Sequence, residues 1–293
     1  MPALIDLRRR IKSVQNTQQI TQAMKSVATA KFQKAQKSVL EGRPHWHNFP
    51  KLAAKVVSWA GAEKHPLLQK REEKRVVGLV ITSDKGLCGA FNSNLLTEAQ
   101  QFFTHKSTQA DVRLVLMGKK AVAFFDKQDF PKDRIYRDRI HKLTPQDLEE
   151  LAEYMMRLYA LNQTDAVYAV YNEFKSILAP RVSVTKLLPL EPQEAVTAES
   201  EFGQMETGPD IEPPPPYFLD AFLSRHVVDQ MCHFFHESQA AEQAARMMAM
   251  DNATNNAGDL IHDLTLVLNK VRQASITKEL LEIMTAVEAL GKK

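Results

Sequence analysis

The hydrophobic pattern divides this chain into two long helical ends and a middle with a different period. Residues 3–41 contain neither proline nor glycine, and residues 217–290 contain no proline and one glycine, Gly258. Unbroken helices over those stretches would run for about 58 and about 110 Å at 1.5 Å per residue. Helices that long need a partner along their length, because an apolar face must be covered. The other end of the same chain is the nearest candidate. In the first segment Leu4, Leu7, Ile11 and Val14 recur at three- and four-residue steps. The register continues through Gln18, Thr21, Lys25, Ala28, Phe32, Ala35 and Val39. This predicts a coiled-coil-like helix with a small and polar centre, with a second stripe of Ile20, Met24 and Val27 and an end at Gly42 and Pro44. In the last segment Leu260, Leu264, Val267, Val271 and Ala274 are expected to form the seam, which then drifts to Leu280, Ile283, Val287 and Leu290. Residues 239–257 are rich in Ala, Met, Asn and Gln. Small side chains there allow close backbone approach, and flexible methionines suit a surface that fits several partners.

The middle has strand periodicity. The runs beginning at Arg75, Val112, Asp165 and Val182 are β-branched and apolar. Helical stretches lie between them, through Leu96 and Phe103, over residues 119–125 and over residues 148–161. Strands alternating with helices predict an α/β domain. The expected organisation is an N-terminal coiled-coil helix over 1–60, a central α/β domain over 72–192, an acidic, proline-rich linker over 193–216, and a C-terminal coiled-coil helix over 217–293. The fold class is α/β plus long helices, with an antiparallel coiled coil of the two ends and a Rossmann-like centre.

Charge sharpens this picture only locally. The net charge of the 293 residues is +3. Residues 1–40 carry Arg8, Arg9, Arg10, Lys12, Lys25, Lys31, Lys34 and Lys37 against Asp6, which reads as a solvated face or a basic shaft meeting acidic surfaces or nucleic acid. Residues 191–216 carry seven acids and no base. Cys88 and Cys232 are far apart and outside any CxxC pair, which argues against a disulfide framework and a zinc site and fits a reducing compartment. No run of about 18 apolar residues is present. The basic start loosely mimics a transit peptide, but its periodicity continues too far for a discarded leader.

The loop Ser83-Asp84-Lys85-Gly86-Leu87-Cys88-Gly89 lies between a strand and a helix, where phosphate-binding loops occur. It is neither GxGxxG nor GxxxxGK[ST], and Met117-Gly-Lys-Lys lacks the upstream glycine of a P-loop. No histidine or carboxylate is placed beside Cys88 by a recognisable signature, and His45 and His47 have no ligand pattern around them. No self-contained active site, cofactor site or metal site is expected.

Three regions carry a resemblance. Ile11-Lys-Ser-Val-Gln-Asn-Thr-Gln-Gln-Ile-Thr-Gln-Ala-Met-Lys-Ser-Val-Ala resembles the N-terminal helix of the gamma subunits of F-type ATP synthases. Residues 83–89 resemble their central glycine loop. Glu242-Gln-Ala-Ala-Arg-Met-Met-Ala-Met-Asp-Asn-Ala-Thr-Asn-Asn-Ala-Gly and Arg272-Gln-Ala-Ser-Ile-Thr-Lys-Glu-Leu resemble their C-terminal helix. The resemblance implies the bacterial type, since the chloroplast redox insertion is not apparent. It implies a non-catalytic rotor subunit that couples ion flow to ATP synthesis or hydrolysis. Its partners would be the alpha and beta subunits, the epsilon subunit and the c-ring of the membrane sector, with no nucleic acid. The expected location is peripheral, on the cytoplasmic face of the bacterial inner membrane. Implied subunit contacts are Met24 and Lys25 in the first helix, Asp84, Lys85 and Gly86 in the loop, and Arg246, Gln273 and Thr277 in the last helix. Gln22 and Ser26 stand where the family more often has Lys and Met. The residues themselves would also allow a coiled-coil scaffold or tether with an α/β head, or a stand-alone enzyme built on the glycine loop.

Overall fold

The computed structural model describes residues 2–59, 65–176, 180–191 and 215–290. The linker expected over 193–216 lies almost wholly outside them. The chain divides into two compact units: Met1–Thr29 with Arg246–Lys293, and Ala30–Ala245.

The first unit is a pair of helix segments. They belong to α1 (Pro2–Trp59) and α5 (Pro215–Leu290). Partners descend along α5 as α1 ascends: Gln18 lies against Thr254 and Gly258, Thr21 against Thr254, and Lys25 against Asp251. The pair is therefore antiparallel. The expected stripe on α1 is the covered one, since Leu4, Leu7, Ile11, Val14, Gln18, Thr21, Lys25 and Ala28 are all buried or half-buried. Ile20 and Val27 of the second stripe are exposed.

The seam on α5 differs from expectation. Leu260 and Val267 are 47% and 46% exposed, and Ala274 is exposed too. The covered positions are Met250, Thr254, Ala257, Ile261, Leu264, Leu268, Val271 and Ser275. Thr254 and Asp251 meet α1. The seven-residue repeat runs from Met250 through Ala257, Leu264 and Val271, and from Thr254 through Ile261, Leu268 and Ser275. Among the described residues, Leu264 and Val271 are therefore the expected seam positions that it reaches. Leu280, Ile283 and Val287 are exposed.

The second unit is built on a five-stranded sheet with strand order β3-β2-β1-β4-β5. β1 (Arg75–Ile81), β2 (Asp111–Met117), β3 (Lys132–Tyr136) and β4 (Ala166–Phe174) are parallel, and β5 (Pro180–Leu188) is antiparallel to β4. β1 is buried on both faces, as parallel strands are. Val76 and Val80 face one layer with Phe103 of α2 (Phe91–Ser107) and Val122 of α3 (Lys119–Phe125). Val77, Leu79 and Ile81 face the other layer, with Leu151 and Met155 of α4 (Pro145–Ala160) and Leu223, Val227, Met231 and Phe234 of α5. Thr144 and Asp147 form a capping box that starts α4. Gly78 is needed where it stands, because a Cβ there would meet the Phe103 ring at 2.3 Å.

Two further differences stand out. The sequence reading has no counterpart to β3, an edge strand that opens with three charged residues, Lys-Asp-Arg, and has no fully buried position. And α1 does not end at Gly42 and Pro44 but continues to Trp59. Gly42 serves packing there: a Cβ would meet the Trp46 indole at 2.2 Å.

Candidate functional site

The glycine loop is held as a rigid corner. The Asp84 carboxylate accepts hydrogen bonds from the backbone N–H groups of Lys119 (3.0 Å), Asp138 (3.2 Å) and Ile140 (3.0 Å). It thus ties three loops at one end of the sheet. Ser83 N–H donates to Asn92 Oδ1 at 3.1 Å, and Ser83 Oγ donates to the Lys85 carbonyl at 2.7 Å. Asn92 Nδ2 also reaches Cys88 Sγ at 3.1 Å. Leu87 and Gly89 adopt positive φ of 62° and 56°, a conformation that costs a leucine more than a glycine. Leu87 is nonetheless held outward and exposed, as is Lys85. Asp84 is thus spent on structure, while Lys85 and Leu87 present themselves to solvent.

The helix pair has a polar layer at its centre. Thr254 Oγ1 and Thr21 Oγ1 are 2.8 Å apart, and Gln18 Nε2 donates to the Thr254 carbonyl. One turn on, Lys25 Nζ meets Asp251 Oδ1 at 2.6 Å. An open groove of about 520 Å³ runs beside this layer, lined by Gln18, Gln19, Gln22, Ala23, Ser26 and Thr254. Met24 is half-buried, Gln273 and Thr277 are exposed one turn apart, and Arg246 is buried in the chain. Met24, Lys25, Arg246, Gln273 and Thr277 belong to the first unit, and Asp84, Lys85 and Gly86 to the second.

Sequence reasoning missed Asp251 as the counter-charge of Lys25. The signal was an acid, one of two with Glu242, on an otherwise Ala- and Met-rich stretch. It also missed Arg43 and Glu237, which converge on β4. Glu237 is 3% exposed in its side chain, and its Oε2 accepts the Phe174 N–H at 2.7 Å. Burial pushes its carboxyl up, against the pull of that hydrogen bond and of Arg43. His226 of α5 is pushed down to about 4 by burial. Among the described residues no group of three or more His, Cys, Asp or Glu could hold a metal ion, and no helix is long and apolar enough to cross a membrane.

An antiparallel helix pair with a small, polar seam, carried with a mostly parallel α/β domain, defines a stalk-type subunit. The chain belongs to the ATP synthase gamma chain family: the ATP synthase family model matches residues 3–290. The ATP synthase gamma chain of Desulforudis audaxviator is 42% identical over 99% of this chain and 100% of its own. That of Pelotomaculum thermopropionicum is 41% identical over 99% and 100%. A chain of the Tetrahymena thermophila mitochondrial ATP synthase central stalk and c-ring structure is 25% identical, with a TM-score of 0.61 over 80% of this chain and 99% of that one. A chain of the Euglena gracilis mitochondrial ATP synthase shares the fold at 18% identity, with a TM-score of 0.65 over 100% and 97%.

Proposed function

We propose that this chain is the central rotor shaft of an F-type ATP synthase, coupling ion flow through a membrane sector to ATP synthesis or hydrolysis in a catalytic hexamer. The observation that carries the reading is the helix pair itself, whose seam is apolar at the ends and small and polar at Gln18, Thr21, Thr254 and Gly258. A shaft that favours different states of its neighbours in turn works through differential affinity for those states. Many weak polar contacts supply that, whereas a continuous apolar face would hold one position. The chain is non-catalytic in this reading. It works with alpha and beta subunits around the helix pair and with the epsilon subunit and c-ring at the membrane side, and it sits peripherally on the cytoplasmic face of a bacterial inner membrane.

Gln273 and Thr277, exposed on α5, and Met24 on α1 are the proposed contacts with the catalytic ring. Lys25, whose charge Asp251 already takes, and the buried Arg246 are proposed to contribute as well. In the glycine loop Lys85 and Gly86 are the proposed contact, on a corner braced by Asp84. The 193–216 segment is proposed as a linker between the α/β domain and α5. The test is reconstitution with alpha and beta subunits. ATPase activity of the hexamer should depend on this chain, and activity indifferent to it would overturn the reading.

A further inference from the structure

At the C-terminal end of β4 both backbone groups of one residue are captured by side chains from two different helices. Phe174 pairs with Pro180 of β5, which has no N–H to give to the ladder. The Phe174 carbonyl instead accepts from Arg43 Nη2 of α1 at 2.8 Å. The Phe174 N–H donates to Glu237 Oε2 of α5 at 2.7 Å. Arg43 Nη2 and Glu237 Oε1, 3.6 Å apart, close the ring. Around it His233 Nδ1 lies 3.9 Å from the same carboxylate oxygen, and the Trp46 indole packs on the His233 ring at 4.0 Å. All these residues lie in the second unit.

We propose that Arg43 and Glu237 are positioning residues that clamp the α/β domain to both helices through the backbone of Phe174, so that domain and helices turn as one piece. The proposal rests on the rotor reading above. Apolar contacts alone do not give this property. α5 is already fixed to the sheet by a broad face of Leu223, Val227, Met231 and Phe234. α1 meets β4 in a small cluster, where the Phe32 ring lies edge-on to Phe174 at 5.3 Å beside Val39, Phe91 and Ala240, and through Arg43. Apolar burial is non-directional and permits sliding, whereas hydrogen bonds to a strand backbone fix register and angle. Both are charge-assisted, hence of the stronger class. The arrangement is also chemically polarised. Position 237 must accept and position 43 must donate, because the N–H and C=O of Phe174 cannot exchange roles.

The test compares the complete complex in vesicles carrying Arg43→Ala, Glu237→Gln, Glu237→Leu and the swap Arg43→Glu with Glu237→Arg. Two quantities are read at matched amounts of assembled complex: ions pumped per ATP hydrolysed, and hydrogen exchange at the Phe174 amide. Loss of the clamp is expected to speed that exchange on the order of tenfold, the equivalent of one lost charge-assisted hydrogen bond. Pumping per ATP should fall, while the chain-dependent ATPase of the soluble hexamer persists. Glu237→Gln, which still accepts from Phe174, should lie between wild type and Glu237→Leu. The swap should not rescue, since arginine at 237 cannot accept and glutamate at 43 cannot donate. Rescue by the swap would reduce the clamp to a simple ion pair and overturn the proposal. So would faster Phe174 exchange with unchanged pumping per ATP. A wild-type chain that fails to support the hexamer's ATPase would instead sink the rotor reading, with the exchange data still deciding whether the clamp holds.

Discussion

Lys25 and Asp251 meet at 2.6 Å across the helix pair, one turn from the point where the hydroxyls of Thr21 and Thr254 touch. A cation on α1 thus finds its counter-charge in the chain's own return helix. Their side chains are 34% and 35% exposed, so solvent screens the pair. A double-mutant cycle with Lys25→Ala and Asp251→Ala should give a coupling energy of about 1 kcal/mol or less, falling with added salt. Denaturant midpoints of the full chain measure it. A coupling that does not weaken between low and high salt would show that the contact is not electrostatic.

The register of the pair has a sharper check. Thr21→Cys with Thr254→Cys should form a disulfide readily, because the native hydroxyls are 2.8 Å apart. Thr21→Cys with Ile261→Cys, one heptad away, should not. Efficient cross-linking of the second pair alone would mean that α5 sits a heptad out of place.

Gly78→Ala should be markedly destabilising for a one-carbon change. The new Cβ would lie 2.3 Å from the Phe103 ring in the layer against α2, and overpacking of this kind costs about 1–3 kcal/mol. Adding Phe103→Leu should recover part of the loss in a thermal melt. No recovery would place the strain on Leu114 instead, whose Cδ2 the same Cβ would meet at 2.9 Å.

Glu73 predicts an acid-limb effect. Burial opposes its charge, but Lys106, Lys186 and Tyr168 outweigh that and bring its carboxyl from 4.5 down to about 2. Lys106 and Lys186 lie 2.6 and 2.9 Å away. A depressed carboxyl contributes stability that is complete above the unfolded value and is lost as pH falls through the folded one. The window therefore runs from 4.5 down to about 2. Over it, Glu73→Gln should flatten the fall in stability that wild type shows. Parallel pH curves for the two proteins would contradict the assigned shift.

The sequence disclosed one half of the helix pair better than the other. On α1 the three-four stripe predicts the covered positions, including polar Gln18, Thr21 and Lys25, because a single apolar register persists at both ends of it. On α5 the largest apolar residues mislead. Leu260 and Val267 flank the seam, which passes through Thr254, a residue that carries no hydrophobic signal. β1, β2 and β4 were legible because buried parallel strands are apolar throughout. β3 was not, because an edge strand need not be. Gly42 and Pro44 read as a stop, and the helix passes through them where Arg43 and Trp46 find tertiary partners. The clamp on Phe174 was invisible in principle, since nothing local links positions 43, 174 and 237.

The far end of α5 has a bearing on how much of this chain a cell can hold unassembled. Leu280, Leu281, Ile283, Met284 and Val287 all stand open to water, Met284 at 70%. Apolar side chains crowded on one bare stretch of helix favour self-association, and a helix end without packing frays. A surplus copy would therefore be prone to clumping and to proteolytic attack at that tip, and enclosure by neighbouring subunits would remove both hazards. Aggregation and proteolysis of the surplus would then hold the amount of intact chain to what its surroundings can enclose.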